Sequence, residues 1–102
     1  MAKVAFKERK GLGETYISVV FDGTFSCKVL SNEDGVLVVE HFATSTSPFD
    51  AIRAMCDCFN DLAENYGVNK IKVTLGHVPM AITAENAKKP EEMYLYWKDK
   101  MA

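Results

Sequence analysis

Residues Thr15 to Ala43, TYISVVFDGTFSCKVLSNEDGVLVVEHFA, carry the strongest architectural signal in the chain. Residues 15–21 (TYISVVF), 24–30 (TFSCKVL) and 36–43 (VLVVEHFA) are rich in β-branched and aromatic side chains, which pack well on a pleated surface. Asp22-Gly23 and Asn32-Glu33-Asp34-Gly35 separate them and carry the turn chemistry of hairpins. The segment therefore predicts an antiparallel meander. Its first register follows from burial, because a slip of one residue turns every side chain to the other face. A two-residue turn at Asp22-Gly23 would set Ile17, Val19 and Phe21 beside Thr24, Ser26 and Lys28. A three-residue loop 22–24 aligns them with Phe25, Cys27 and Val29, and burial favours that loop. One conflict stands: such loops usually want glycine at the last position, and Gly23 is in the middle.

Outward from the meander, residues 2–9 (AKVAFKER) alternate Val4 and Phe6 with Lys3, Lys7 and Arg9, a short strand running into Gly11-Leu12-Gly13. On the other side comes one long amphipathic helix. Ser47 is its N-cap, Pro48 its N1 residue, Asp50 approximates a capping box, and Gly67 supplies the positive φ of a C′ residue. Between these, Ile52, Met55, Cys56, Phe59, Leu62, Ala63 and Tyr66 recur at three- and four-residue spacing opposite Arg53, Asp57, Asn60, Asp61 and Glu64. Residues 69–75 (NKIKVTL) alternate again and give a fifth strand. The pattern loosens through His77 and Pro79, and a helical start at Thr83-Ala84-Glu85-Asn86 is stopped by Pro90. Pro90 opens a short C-terminal helix with Glu91 and Glu92 in its first turn and Lys98 and Lys100 in its last, as the macrodipole prefers. The expected class is α+β, in the order β-β-β-β-α-β-α. Residues 1–89 form the core domain, and the aromatic helix 90–102 packs on that core or on a partner.

With 102 residues, 48% of them hydrophobic, the chain suffices for one compact domain and not two. A formal charge of −2 lacks the electrostatic signature of a general nucleic-acid coat and of a polyacidic mimic. No apolar run reaches the roughly 18–20 residues that span a bilayer, and Met1–Lys10 carries basic side chains with no apolar stretch behind them. A soluble, unexported, cytoplasmic chain without a membrane partner is the expectation. The 3 cysteines agree with it, being an odd number better explained by reduced thiols than by a disulfide framework.

The order strand, strand, strand, helix, strand from Tyr16 to Leu75 resembles the first half of ribonuclease H-like folds. The run Ile17-Ser18-Val19-Val20-Phe21-Asp22-Gly23-Thr24-Phe25-Ser26, followed by Asp34-Gly35 and another strand, is similar to the first phosphate loop of actin-like sugar kinases, one residue short of their spacing. The passage Ala63-Glu64-Asn65-Tyr66-Gly67-Val68-Asn69-Lys70-Ile71-Lys72-Val73 resembles its counterpart in the family of the eleventh small-subunit ribosomal protein. A ribonuclease H-like nuclease implies several carboxylates around divalent metal ions. Asp22 matches the first-strand acid, but Asp50, Asp57, Asp61 and Glu64 fall mostly on the solvent face of the helix. The fifth strand ends in Leu75-Gly76-His77 without a carboxylate. Asp22 reads better as a turn residue. A sugar kinase implies a second phosphate loop and a second domain, for which the chain is too short.

Other chemistries fare no better. Cys27, Cys56 and Cys58 with His41 and His77 match zinc by count and not by spacing. Cys56 and Cys58 diverge by roughly 200° around a helix, and Cys27 and Cys56 fall on core faces, with Cys58 the more exposed. Glu40 and His41 are strand neighbours on opposite faces, and Ser45, Thr46 and Ser47 form a polar loop into the helix. No nucleophile–base pair emerges. No metal, cofactor or catalytic residue is assigned.

What remains is an imbalance of cover. One helix shields one face of a sheet, whereas Tyr16 and Val20 oppose Ile17, Val19 and Phe21, and Val36 and Val38 oppose Leu37 and Val39. The second face calls for the C-terminal segment or another chain. The expectation is a small non-enzymatic protein-interaction domain of the kind found among phage-type accessory or inhibitor proteins. It would bind a host protein, or its own copy as a homodimer, through Met93, Tyr94, Tyr96, Trp97 and Met101. The alternative is a nucleic-acid-binding domain on a ribonuclease H-like half-fold, using Lys3, Lys7, Arg9, Lys70 and Lys72 with stacking on Tyr16 or Phe25.

Overall fold

The computed structural model describes residues 3–11, 13–41 and 46–102. The expected strand positions Ala2, Phe42 and Ala43, the turn residue Leu12 and the loop residue Ser45 lie outside these. The chain runs β1 (Val4–Gly11), β2 (Glu14–Phe21), β3 (Phe25–Glu33), β4 (Val36–Glu40), α1 (Pro48–Asp57), α2 (Phe59–Tyr66), β5 (Lys70–Leu75), β6 (Val78–Thr83), a 3-10 turn (Asn86–Lys88) and α3 (Pro90–Met101). All six strands share one sheet in sequence order. Every neighbouring pair is antiparallel except β4 and β5, which the helical crossover makes parallel.

The first hairpin has the three-residue loop: Phe21 faces Phe25 and Val19 faces Cys27. Its glycine conflict is resolved by Asp22, which joins Gly23 at positive φ (54° and 69°) while the Thr24 N–H closes onto the Phe21 carbonyl at 3.1 Å. Asp is among the few side chains that tolerate this region. The next hairpin closes on two residues, Asp34 and Gly35, again both at positive φ, as in a type I′ turn. Past Val29 the register slips, leaving Leu30 as an unpaired bulge residue.

The helix starts and stops where its caps place it. The Ser47 side chain accepts the Asp50 N–H at 3.2 Å, and Gly67 takes φ 68°. It is bent at Cys58 without breaking its ladder, since Cys58 donates to Ala54 at 3.0 Å and Leu62 donates to Cys58 at 3.1 Å. The bend re-aims the second segment. Ile52, Met55, Cys56, Phe59 and Leu62 are buried as the stripe requires, but Ala63 and Tyr66 are exposed and Cys58 is fully buried. The expectation of a more exposed Cys58 is thus corrected.

A sixth strand replaces the loose segment after Gly76. Val78, Met80 and Ile82 alternate into the core, and Leu75 faces Val78 across a two-residue turn opened by Gly76 at φ 65°. Pro79 sits on this edge strand, where a missing N–H is tolerated. The helical start at Thr83 is only the 3-10 turn Asn86–Lys88. Asn86 clips it to the sheet, accepting the Thr83 N–H at 2.8 Å and donating to the Ala81 carbonyl at 2.9 Å.

One core lies between the sheet and the helices. Val4, Val19, Phe21, Phe25, Cys27, Leu37, Val39, Ile71, Val73, Leu75 and the three β6 side chains supply the sheet side of it.

Candidate functional site

The alternation that buries these side chains turns the others outward, and the outward set is where the fold leaves itself open. By register the second face carries Lys7 and Arg9 of β1, Tyr16, Ser18 and Val20 of β2, Lys28 of β3, Val36, Val38 and Glu40 of β4, and Lys70, Lys72 and Thr74 of β5. The C-terminal helix does not fold over it. It docks beside α1 on the helical side: the Cys56 thiol donates to the Met93 thioether at 3.8 Å, Tyr94 stands edge-on to Phe49 at 5.5 Å, and the Trp97 indole N–H donates to the Leu75 carbonyl at 3.0 Å. Residues 90–102, one of the two alternative covers for the second face, therefore pack on the helical side instead.

Where the open face reaches β6 it meets α3. There a groove of about 800 Å³ is floored by Leu30, Val38, Lys72 and Ala81 and walled by Glu92 and Tyr96. Leu30, released from pairing by the bulge, is 54% exposed, and Tyr96 is 49% exposed. The helix periodicity that sends Met93 and Trp97 inward aims Tyr96 along the rim.

The residues expected to bind a partner thus divide. Tyr96 lines the groove and Met93 contributes to it while nearly buried. Tyr94 and Trp97 stack on each other at 6.0 Å and face the core, and Met101 lies by Gly76. Leu30 was missed, because a bulge is a product of the pairing between strands and a single strand's pattern does not reveal it. Of the residues expected to bind nucleic acid, Lys7, Arg9, Lys70 and Lys72 share the open face, while Lys3 precedes β1 and is exposed. Phe25, the second expected stacking platform, is buried at 1% exposure and packs on Phe21 and His41.

Charge on the face is uneven. Lys28 is paired with Glu14 at 3.0 Å, which holds its ammonium above the usual lysine range, and it lies 5.6 Å from the Tyr16 ring centroid. Arg9 donates to the Ser18 hydroxyl at 3.2 Å. Lys70 and Lys72 have no ion-pair partner among the described residues.

The thiols and acids are placed for structure. Burial pushes Cys27, Cys56 and Cys58 each up to about 12, so none is a thiolate nucleophile near neutral pH. Asp61, expected on the solvent face, is half-buried and accepts the Val4 N–H at 2.7 Å as well as the Asn65 side-chain amide. Asp22 shapes its turn and donates its N–H to Lys3 at 2.8 Å. Among the described residues no three His, Cys, Asp or Glu side chains gather closely enough to hold a metal ion, and no helix is long and apolar enough to cross a membrane. No protein-family model matches the chain, and comparison with curated proteins and with solved structures finds no match either.

Proposed function

We propose that this chain is a small non-enzymatic protein-interaction domain that engages its partner through the open sheet face and the adjoining groove under Tyr96. The observation that carries this reading is Leu30. A bulge lifts a large aliphatic side chain out of the ladder and leaves it more than half exposed on the floor of a groove whose other wall presents a tyrosine. Apolar surface of this kind, rimmed by charge, is characteristic of association sites, and tyrosine is a frequent anchor in them. The test is site-specific photocrosslinking in the cells that make the protein. A photoreactive residue at position 30 or 96 should give a discrete crosslinked protein band, and the same residue at position 57 on the helical side should not. Equal labelling at all three positions, or none, would overturn the reading.

The second reading is nucleic-acid binding, supported by Lys7, Arg9, Lys70 and Lys72 sharing one face. It requires binding of a short single-stranded oligonucleotide that weakens steeply between about 50 and 200 mM salt. It is the weaker of the two because bases need free aromatic faces to stack on. Phe25 is buried, Tyr16 is half-buried with the Lys28 ammonium 5.6 Å from its ring centroid, and the remaining apolar groups of the sheet face are aliphatic.

A further inference from the structure

Resting on the protein-binding reading, we infer that the occupant of the open face is an acidic segment of another protein, with apolar side chains set among carboxylates. The warrant is charge complementarity. The face holds five cations, Lys7, Arg9, Lys28, Lys70 and Lys72, against three carboxylates, Glu14, Glu33 and Glu40, a formal +2. The whole chain carries −2, so the rest of the molecule is acidic and the positive charge is concentrated on the side that lacks a helical layer.

Lys72 stands next to the exposed apolar groups, and Lys70, two residues earlier on the same face, pairs with the half-buried Val36. Lys72 pairs with Val38 across β4–β5 and with Ala81 across β5–β6, and it floors the groove beside Leu30. Neither lysine has a carboxylate partner within the described chain, whereas Lys28 and Lys89 have theirs in Glu14 and Glu92. An apolar groove with one unpaired ammonium group on its floor and another on the same strand fits leucine- or phenylalanine-type side chains set directly beside Asp or Glu.

A second copy of the chain fits less well. Two such faces would oppose +2 with +2. Six strands about 4.8 Å apart and about 20 Å long offer on the order of 500–600 Å² per copy, at or below the lower end of what stable interfaces bury.

The experiment selects binders from a displayed random 12-residue peptide library against the intact folded chain and measures affinity for the enriched peptides. The expected result is enrichment of peptides with net negative charge and at least one large apolar residue. Their affinity should fall about tenfold or more with Leu30→Asp and with Lys72→Glu, both at exposed positions, and be unchanged with Arg53→Glu on the helical side. Circular dichroism of each variant checks the fold. Raising salt from about 50 to 300 mM should weaken binding several-fold.

Neutral or basic peptides that lose binding with Leu30→Asp would overturn the acidic partner and keep the docking face. Peptides insensitive to both face variants, or no enrichment, would overturn both. A dimer in light scattering that Leu30→Asp converts to monomer would assign the face to a second copy and reject the acidic partner, as would salt-sensitive oligonucleotide binding lost with Lys72→Glu.

Discussion

The indole Nε1 of Trp97 donates to the carbonyl of Leu75 at 3.0 Å, fastening the last helix to the end of β5. This oxygen lies just before the Gly76-His77 turn, and Met93 one helical turn earlier rests on Cys56. Residues 90–102 therefore stabilise the fold as well as lining the groove. Trp97→Phe keeps most of the ring contact and loses the hydrogen bond, for a destabilisation of about 1 kcal/mol. Trp97→Ala removes the half-buried ring as well and should cost about 3 kcal/mol. Urea denaturation followed by circular dichroism separates the two, and equal costs would show that the hydrogen bond carries the whole effect.

β1 is an edge strand, tethered to the helical layer by Asp61. Asp61→Ala leaves the nearly buried Val4 N–H without its acceptor, at a cost of about 1–2 kcal/mol. The loss is local, so hydrogen exchange at Val4 and at the neighbouring ladder amides of Ala5 and Lys7 should accelerate far more than at Ile71 or Val73. Uniform acceleration would contradict the tether.

Gly35 combines φ 79° with a neighbour already in place, since an added Cβ would come within 2.7 Å of the Asn69 side-chain amide nitrogen. Its carbonyl also accepts the Asn69 N–H at 2.7 Å, which joins the β3–β4 turn to the start of β5. Gly35→Ala should destabilise by about 1–3 kcal/mol through backbone strain and this contact. In the double variant with Asn69→Ala the contact with the Asn69 side chain should be relieved, while the φ part and the 3.2 Å approach to the Gly67 carbonyl persist, which thermal melts of the three proteins can resolve.

Stability should fall at both ends of the pH scale, for different groups at each end. Buried thiols ionise at about 12 when folded against 9.0 when free, so their contribution is complete below about pH 9 and is lost as the pH climbs toward 12. His41 behaves inversely. Burial of its ring against Phe25 pushes it below 6.5, partly offset by a hydrogen bond to the Ser26 backbone, so its contribution is present above 6.5 and lost as the pH falls. A plateau of denaturation midpoints between about pH 6.5 and 9 is expected, together with thiols that resist a disulfide reagent at pH 8 until urea unfolds the chain. Fast reaction of even one thiol in the folded protein would contradict its burial.

The parts of the fold legible in the sequence are those set by local chemistry. Ser47, Pro48 and Gly67 bound the helix, and the apolar faces of Phe21 and Phe25 choose the hairpin register against the glycine rule. β6 was hidden by Pro79, which demotes a strand in isolation, although the alternation of Val78, Met80 and Ile82 after a Gly76-His77 turn carries its signal. The bend at Cys58 has no proline or glycine to announce it, and the helical hydrogen bonds continue through it. For the site, Tyr96 and the basic residues of β1 and β5 were readable from pattern. The outward position of Leu30 was not, because it depends on the slip between β3 and β4.

The parallel junction of β4 and β5 has a consequence for how the chain is assembled. Every other strand joins its neighbour through a short turn, whereas this one must wait for the α1–α2 crossover to bring distant backbone together. The sheet is thus made of a four-stranded and a two-stranded unit joined along one seam. The seam runs between Val38 and Lys72, beneath the groove, so a ligand seated there would act as a clasp across the junction of the two units.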